Sequence, residues 1–222
     1  MSGKRRPRAN QQVRFQVSEV AVEHSLPILT KGCIHSWDRQ AFFTDVPEVP
    51  GFDPAPTLIQ SNFIFANYGA AQGVDNDDGS SYYTIDQNVF FDADGFKMDY
   101  GGHGSKFTSN LVLTKPNNGA CIGLANMESG HGDEYSNNTC AVIGASAGAK
   151  SSVGHISQCD PAENTMHDNT YFTPTGKGAL GGCGDTPIEE LFAKDKMEKD
   201  SKVEKMPSDE ELVGFAKAWL GL

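Results

Sequence analysis

The sequence lacks any run of 18 consecutive apolar residues, so it predicts no transmembrane helix. The basic residues at its N-terminus are followed by polar ones, without the apolar run of a signal peptide. Basic residues are scarce overall, since 18 Lys and Arg against 29 Asp and Glu give a formal net charge of -11. This balance disfavours nucleic acid as a partner, because phosphates need Lys and Arg.

Cysteine is also sparse, and its five copies cannot all close into disulfides because the number is odd. Cys121 with Cys140, and Cys159 with Cys183, are conceivable bridges. The alternative is a set of buried free thiols, because Cys is often buried without a partner.

Glycine is abundant, with 24 residues, and it marks an internal repeat. The segments 73–88, 95–110 and 123–138 align without a gap, and each opens with Gly and closes with Asn fifteen positions later. An Asn also leads a short β-rich segment five times, and Gly32-Cys33-Ile34-His35 resembles a sixth copy; the leading residues are Asn62, Asn88, Asn110, Asn138 and Asn169. Coils of this length that are turned by Gly and Asn predict an all-β fold, a right-handed parallel β-helix of about five to six coils.

The repeat predicts which side chains meet. Each Asn amide should bond to the same amide in the next coil and to the turn backbone. Val74, Phe96 and Leu124 share one strand position and should point inward. A second inward-facing set comes from the Asn-led strands: Ile64, Phe90, Val112, Cys140 and Tyr171.

The two ends of the chain differ from the repeat. Residues 1–12 are polar and basic and are predicted to be disordered, and the β-helix is predicted over 13–182. Because no cap precedes the coils, we expect their N-terminal edge to be completed by upstream sequence or by another chain.

Residues 183–222 are predicted to be a charged linker followed by a capping helix. Ser208 suits the N-cap and Glu211 completes a capping box. Apolar residues follow at helical spacing: Leu212, Phe215, Ala216, Trp219 and Leu220. We expect this helix to close the open end of the solenoid, since terminal coils need a cap.

Charged side chains of neighbouring coils should converge on one face. Strand alternation turns Asp75, Asp77, Lys97 and Asp99 outward. The alignment places Asp75 over Lys97 and Asp77 over Asp99. Two stacked carboxylates need a nearby cation or a shared proton, and Ca²⁺ takes six to eight oxygen ligands. The alternative is a solvated acidic face.

Further along each coil, the alignment stacks His103 over His131 and places Asp78 level with Tyr100. Titratable groups from three consecutive coils thus converge on the same side of the solenoid. For the two histidines, a ladder of stacked turn residues is as good an interpretation as catalysis.

Four segments carry a resemblance to a known group: Ile34-His35-Ser36-Trp37-Asp38-Arg39-Gln40, Asn62-Phe63-Ile64-Phe65-Ala66-Asn67, Val74-Asp75-Asn76-Asp77-Asp78-Gly79-Ser80 and Gly95-Phe96-Lys97-Met98-Asp99. Over residues 30–175 the chain resembles right-handed β-helix proteins of the pectate-lyase-like superfamily, in their C-terminal part. The resemblance implies a carbohydrate-active protein that acts on acidic polysaccharide. It also implies an extracellular or cell-surface location.

The resemblance implies a lyase or a uronate epimerase in which Lys97 is the base. Asp75, Asp77 and Asp99 would bind Ca²⁺, which would acidify the proton next to the sugar carboxylate. Other residues with implied catalytic roles are Asp78, Tyr100, His103, His131 and Arg39, of which Tyr100 or His103 would donate a proton to the leaving oxygen.

Two alternatives remain from the sequence. The first is a glycoside hydrolase whose acid–base pair is Asp77 with Asp99, or with Asp78. The second is a non-catalytic module that binds glycans or serves as a structural solenoid. Carboxyl separation and metal dependence would distinguish the hydrolase from the lyase.

Overall fold

The computed structural model describes residues 34–37, 56–65, 72–98, 102–114, 121–124, 132–142, 152–156, 164–184 and 186–222. Within these residues the chain forms three sheets whose strands alternate in sequence, as expected for a parallel β-helix. The segment predicted to be disordered, residues 1–12, lies outside the described residues. Neither described helix has the length and apolar character needed to cross a membrane.

Up to residue 173, consecutive strands enter the three sheets in turn. Sheet A comprises β2 (Thr57–Gln60), β5 (Tyr83–Asp86), β8 (Lys106–Thr108), β11 (Glu134–Ser136) and β14 (Thr165–His167). Sheet B comprises β1 (Ile34–Trp37), β4 (Val74–Asp77), β7 (Phe96–Met98), β10 (Ile122–Leu124), β13 (Ser152–Ile156), β16 (Ala179–Gly181) and β17 (Thr186–Pro187). Sheet C comprises β3 (Phe63–Phe65), β6 (Val89–Phe91), β9 (Leu111–Thr114), β12 (Thr139–Val142), β15 (Thr170–Thr173) and β18 (Lys202–Lys205).

All neighbouring strands pair in parallel except β16 and β17, which are antiparallel. From the first to the last strand of sheet A the chain makes about four turns, slightly fewer than the five to six coils that the repeat predicted. The all-β parallel solenoid with a C-terminal helix is therefore confirmed.

The core confirms the alternation of inward and outward side chains. The five inward residues of sheet C are opposite one another in register and at most 1 % exposed: Ile64, Phe90, Val112, Cys140 and Tyr171. In sheet B, Val74 is opposite Phe96 as predicted, but Ile122, and not Leu124, is the next partner of Phe96. Leu124 is opposite Met98 and is still buried, because a shift of two residues keeps a side chain on the same face.

The two-residue offset of Leu124 has a structural cause. Strand β7 matches β10 at a separation of 26 residues, whereas β8 matches β11 at 28. The gap-free alignment therefore misplaced two residues that belong to the corner between sheets B and A.

The predicted Asn ladder is confirmed. In four ladder residues, Asn88, Asn110, Asn138 and Asn169, the side-chain oxygen accepts hydrogen bonds from the backbone N–H and the side-chain amide of the Asn in the preceding coil, at 2.9–3.2 Å. Each side-chain amide also donates to a backbone carbonyl. The residue before each Asn has a φ of 54–57°, and these residues are Ser61, Gln87, Ser109, Asn137 and Asp168. The ladder satisfies the polar groups of this tight corner, which would otherwise be buried without partners.

The C-terminal segment differs from the expected charged linker. It contains helix α1 (Ile188–Asp195) and strand β18, which pairs with β15. Here Ser201 replaces the ladder Asn and accepts the backbone N–H of Asn169 at 2.9 Å. The sequence predicted a linker here because β18 is rich in charge. Its charged residues Lys202, Glu204 and Lys205 are exposed on the last strand.

Helix α2 (Asp209–Leu220) forms with the predicted capping box between Ser208 and Glu211. Its position differs from the expectation, since it packs against the outer face of sheet C, on Val89, Leu111 and Leu113. That face is apolar, and packing against the helix removes it from water. The end is covered instead by α1, which buries Ile188 and Leu191 in the main core.

One of the conceivable disulfides is present. Cys121 and Cys140 are bonded within the core, where both are fully buried. Cys183 is also disulfide-bonded, and Cys159 lies outside the described residues.

Candidate functional site

A row of charged side chains crosses sheet B on its outer face. Strand pairing places His35 opposite Asp75, and Asp75 opposite Lys97. The predicted stacking of Asp75 over Lys97 is thus confirmed. The next residue in this row is Gly123, which is opposite Lys97 on β10.

The contacts in this row centre on Lys97. Its Nζ atom lies 3.0 Å from Asp75 Oδ1 and 3.2 Å from Asp77 Oδ1, and His35 Nδ1 lies 3.4 Å from Asp75 Oδ2. The Asp75 side chain is completely buried, whereas 21 % of Lys97 and 29 % of Asp77 is exposed. A buried carboxylate is costly unless it is paired. The ion pair with Lys97 therefore stabilises Asp75 and fixes the position of the Lys97 ammonium group. Lys97 and Asp77 are the groups that a ligand can reach.

One buried oxygen atom at this face has unused hydrogen-bonding capacity. Gln72 Oε1 accepts no hydrogen bond among the described residues, whereas the Asp75 oxygens lie 3.0 Å from Lys97 Nζ and 3.4 Å from His35 Nδ1. The Gln72 amide lies beside Gly123, where an added Cβ would be 3.5 Å from Gln72 Nε2. Buried acceptors without donors are rare in proteins, so the Gln72 amide is an unusual feature of this face. The sequence interpretation missed Gln72.

The carboxylates of Asp75 and Asp77 do not by themselves make a calcium site. The position between Asp75 and Asp77 is filled by the ammonium group of Lys97. Two carboxylates fall short of the six to eight oxygens that Ca²⁺ takes. Within the described part of the chain no group of three or more His, Cys, Asp or Glu side chains could hold a metal ion. The third predicted ligand, Asp99, lies outside the described residues, so the calcium prediction stays a prediction.

His103 lies in the corner between sheets B and A. It is 5 % exposed, and its backbone N–H donates to Ser81 Oγ at 3.1 Å. Its ring nitrogens lie 3.5 Å from Ser81 Oγ and 3.4 Å from Tyr82 Oη. These contacts to the preceding coil agree with the ladder of turn residues that was the alternative to catalysis.

Asp78 lies in the turn after β4, with a φ of 41°. Its backbone N–H donates to Asp77 Oδ1 at 3.1 Å, so the two acids share one tight turn. The remaining predicted catalytic residues lie outside the described residues, and their roles stay predictions: Arg39, Asp99, Tyr100 and His131.

A second group of titratable residues lies where sheet A begins. Burial raises the pKa of the Asp133 carboxyl to about 7, although hydrogen bonds from Ser105 N–H and Tyr135 Oη act in the opposite direction. A hydrogen bond from Lys106 lowers the pKa of the neighbouring Glu134. The sequence interpretation missed this pair. A difference between two repeats could have indicated it, because Asp133 follows the second Gly-His-Gly turn at the position where Ser105 follows the first.

The chain matches no protein-family model, no curated protein and no solved structure. Its class therefore rests on the structure itself, which is that of a parallel β-solenoid with charged residues in register on one sheet.

Proposed function

We propose that this protein acts on acidic polysaccharides at the outer face of sheet B, as a lyase or a uronate epimerase of the pectate-lyase-like superfamily. One observation carries the proposal: the Lys97 ammonium is held at a defined point, between the buried Asp75 and the accessible Asp77. The fold and the resemblance of the motifs around Asp75 and Lys97 to that superfamily support it. The buried disulfide between Cys121 and Cys140 supports an extracellular or cell-surface location, since disulfides persist in oxidising compartments.

The geometry places Lys97 at a defined point for proton transfer. As a base, Lys97 must first release its own proton to solvent, and a cation bound beside Asp75 and Asp77 would favour this release by offsetting the two carboxylates that hold the ammonium group. The neutral amine then takes the proton from the sugar carbon next to the carboxylate. In a lyase the bond to the leaving oxygen breaks, and that oxygen takes a proton from Tyr100 or His103. In an epimerase the acid, Tyr100 or His103, gives a proton to the opposite face of the same carbon.

Substrate recognition depends on the accessible groups of this face. The sugar hydroxyls can donate to Asp77, whose side chain is 29 % exposed. The substrate carboxylate can pair with Lys97 while the latter is still protonated. The overall charge of -11 opposes an anionic polymer, so this local cation is needed for binding.

The test compares Lys97→Ala and Lys97→Arg with Lys202→Ala on a panel of uronic-acid polymers. Lys202 is an exposed lysine of sheet C and serves as a matched control. We expect both Lys97 variants to lose about 100-fold or more of the rate at which unsaturated ends or epimerised residues form, because Arg cannot act as a base at neutral pH. Undiminished turnover by folded Lys97→Ala would refute the assignment.

Calcium is tested in the same assay by adding the ion or a chelator. If Ca²⁺ joins Asp75, Asp77 and Asp99, chelation should abolish turnover. If turnover continues, the residues of sheet B work without the metal, and the hydrolase alternative, with Asp77 and Asp99 or Asp78, is then examined through the release of reducing ends.

A non-catalytic glycan-binding or structural module is the second candidate. It is favoured by the complete burial of Asp75 and by the two carboxylate contacts of Lys97, since structural ion pairs have the same pattern. A glycan array that shows binding, together with no product from any polymer, would support this candidate over the enzyme.

A further inference from the structure

The chain ends in a segment that we call the C-terminal strap, residues 196–222, which contains β18 and α2. Its first part completes the last coil, since Lys199 pairs with His167 of sheet A and β18 pairs with β15 of sheet C. Helix α2 then packs on the apolar outer face of sheet C. The strap therefore lies on sheets A and C, whereas the charged row around Lys97 lies on sheet B.

Helix α2 covers sheet C incompletely. Leu212 is the buried residue of this helix. A mainly apolar cavity of about 500 Å³ remains between the helix and strands β3 and β6. At this cavity Phe91 of the sheet is 48 % exposed and Val213 of the helix is 53 % exposed. Elements with few buried apolar contacts open at a low free-energy cost, so α2 is suited to local opening.

The backbone at the start of the strap is strained. Lys196, Glu198 and Asp200 have φ values of 59°, 56° and 59°, in the left-handed region that disfavours residues with a Cβ atom. Asp200 precedes Ser201 and repeats the corner geometry of the Asn ladder, whereas Lys196 and Glu198 add to the strain. Such residues persist only where their surroundings hold them, and they are frequent in switch regions. The contacts of Glu198 therefore decide whether the strap stays in place.

The side chain of Glu198 is enclosed by the last coil and is 2 % exposed. Its Oε1 accepts a hydrogen bond from Tyr171 Oη at 2.6 Å, and its Oε2 accepts one from the Asn169 amide at 3.1 Å. Ser201 is a third hydrogen-bond partner. The preceding residue, Met197, is fully buried in the main core. Glu198 thus holds the strap through a carboxyl group that is removed from water, and such a group favours its neutral form.

The groups that face Glu198 determine the direction of its pKa shift. Burial raises the pKa of Glu198 above its ordinary value of 4.5, although hydrogen bonds from Ser201, Tyr171 and Asn169 and the attraction of His167 act in the opposite direction. Burial also raises the pKa of Tyr171, which stays a neutral donor. Because the folded-state pKa of Glu198 is raised, its stabilising effect is complete below about pH 4.5. This effect is lost as the pH rises through the folded-state pKa.

We propose that Glu198 is a pH-sensitive latch, whose ionisation releases the C-terminal strap from the solenoid and uncovers the apolar outer face of sheet C. Glu198 gives its proton to solvent, and no covalent bond changes. In the open state the carboxylate is hydrated, and the backbone of Lys196 and Glu198 leaves the left-handed region. Three independent features favour this opening: the strained backbone, the buried acid and the incomplete packing of α2.

The test is amide hydrogen exchange of the full chain between pH 4.5 and 9, with rates corrected for the intrinsic effect of pH. We expect protection of residues 196–222 to fall by up to about tenfold per pH unit while Glu198 ionises. Glu198→Gln stays neutral at similar size, so it should remove this pH dependence from the strap and leave that of strands β5 to β9 unchanged. Glu204→Gln, which alters an exposed carboxylate of β18, is the matched control and should behave as the natural protein.

A second variant keeps the test sharp if Glu198→Gln does not fold. Tyr171→Phe removes a donor that stabilises the ionised carboxylate, so the fall in protection should move to higher pH. A role of Tyr171 in packing alone would leave the pH of this fall unchanged. Protection of the strap that does not vary with pH, or that varies equally in folded Glu198→Gln, would overturn the proposal. The exchange is measured without substrate, so the outcome does not depend on any activity at Lys97.

Discussion

The substitution Asp133→Asn tests whether a buried carboxyl limits the stability of the solenoid at neutral pH. The pKa of Asp133 is raised from 3.8 to about 7 by burial. Asn is nearly the same size and can accept the N–H of Ser105, as Asn164 does for the N–H of Asp133 one coil later. The variant thus removes the titration and keeps this hydrogen bond.

The magnitude follows from linkage. Because the folded-state pKa lies above the unfolded value, the stability associated with the protonated acid is fully present below about pH 4 and is lost as the pH rises to about 7. A difference of about 3 pKa units corresponds to about 4 kcal/mol. Small domains unfold with about 5–15 kcal/mol, so the effect should be large.

We therefore expect Asp133→Asn to exceed the natural protein in free energy of unfolding by up to about 4 kcal/mol at pH 8, and by little at pH 4. Urea denaturation followed by circular dichroism from pH 4 to 8.5 measures this difference. Asp200→Asn is the control, since Asp200 is exposed and Asn tolerates its φ of 59°. A difference that does not change with pH would show that Asp133 is not the buried acid described above.

Three other substitutions test the architecture by thermal and urea denaturation. Asn110→Ala should cost about 3 kcal/mol or more, because it leaves buried groups of two neighbouring coils without partners, and Asn110→Asp should fall in between since it keeps the acceptor. Replacing Cys121 and Cys140 with Ala should cost about 3 kcal/mol, as expected for a loop closed across 19 residues, and an unchanged melting temperature would contradict this. Ser208→Ala should cost about 1 kcal/mol through loss of the helix cap, and no loss would show that α2 does not depend on it.

The repeat was sufficient to predict the solenoid because each coil has the same local requirement. The corner before sheet C needs a residue with positive φ followed by an amide that both donates and accepts. Sequence pairs such as Gln87-Asn88 and Ser109-Asn110 meet this requirement in successive coils. Strand alternation then determined which side chains enter the core, and even Leu124, which was misaligned by two residues, was assigned to the correct face.

The candidate sites were less predictable. Alternation turned Asp75 and Lys97 to the same face, and their register is as expected. It did not show that Asp75 is buried and that Lys97 is in contact with both Asp75 and Asp77. Burial of an outward side chain depends on the atoms that cover the sheet, and these come from other parts of the chain.

The sequence and the tertiary structure therefore determined different features of this protein. The amino-acid sequence by itself determined the parallel β-helix, the Asn ladder and the face on which each strand residue lies, because these depend on local backbone geometry repeated in every coil. Only the tertiary structure decided that Asp75 lies beneath Lys97, that Asp133 is buried, and that α2 covers sheet C. These features depend on corner lengths and on contacts between coils, which a periodic pattern does not specify.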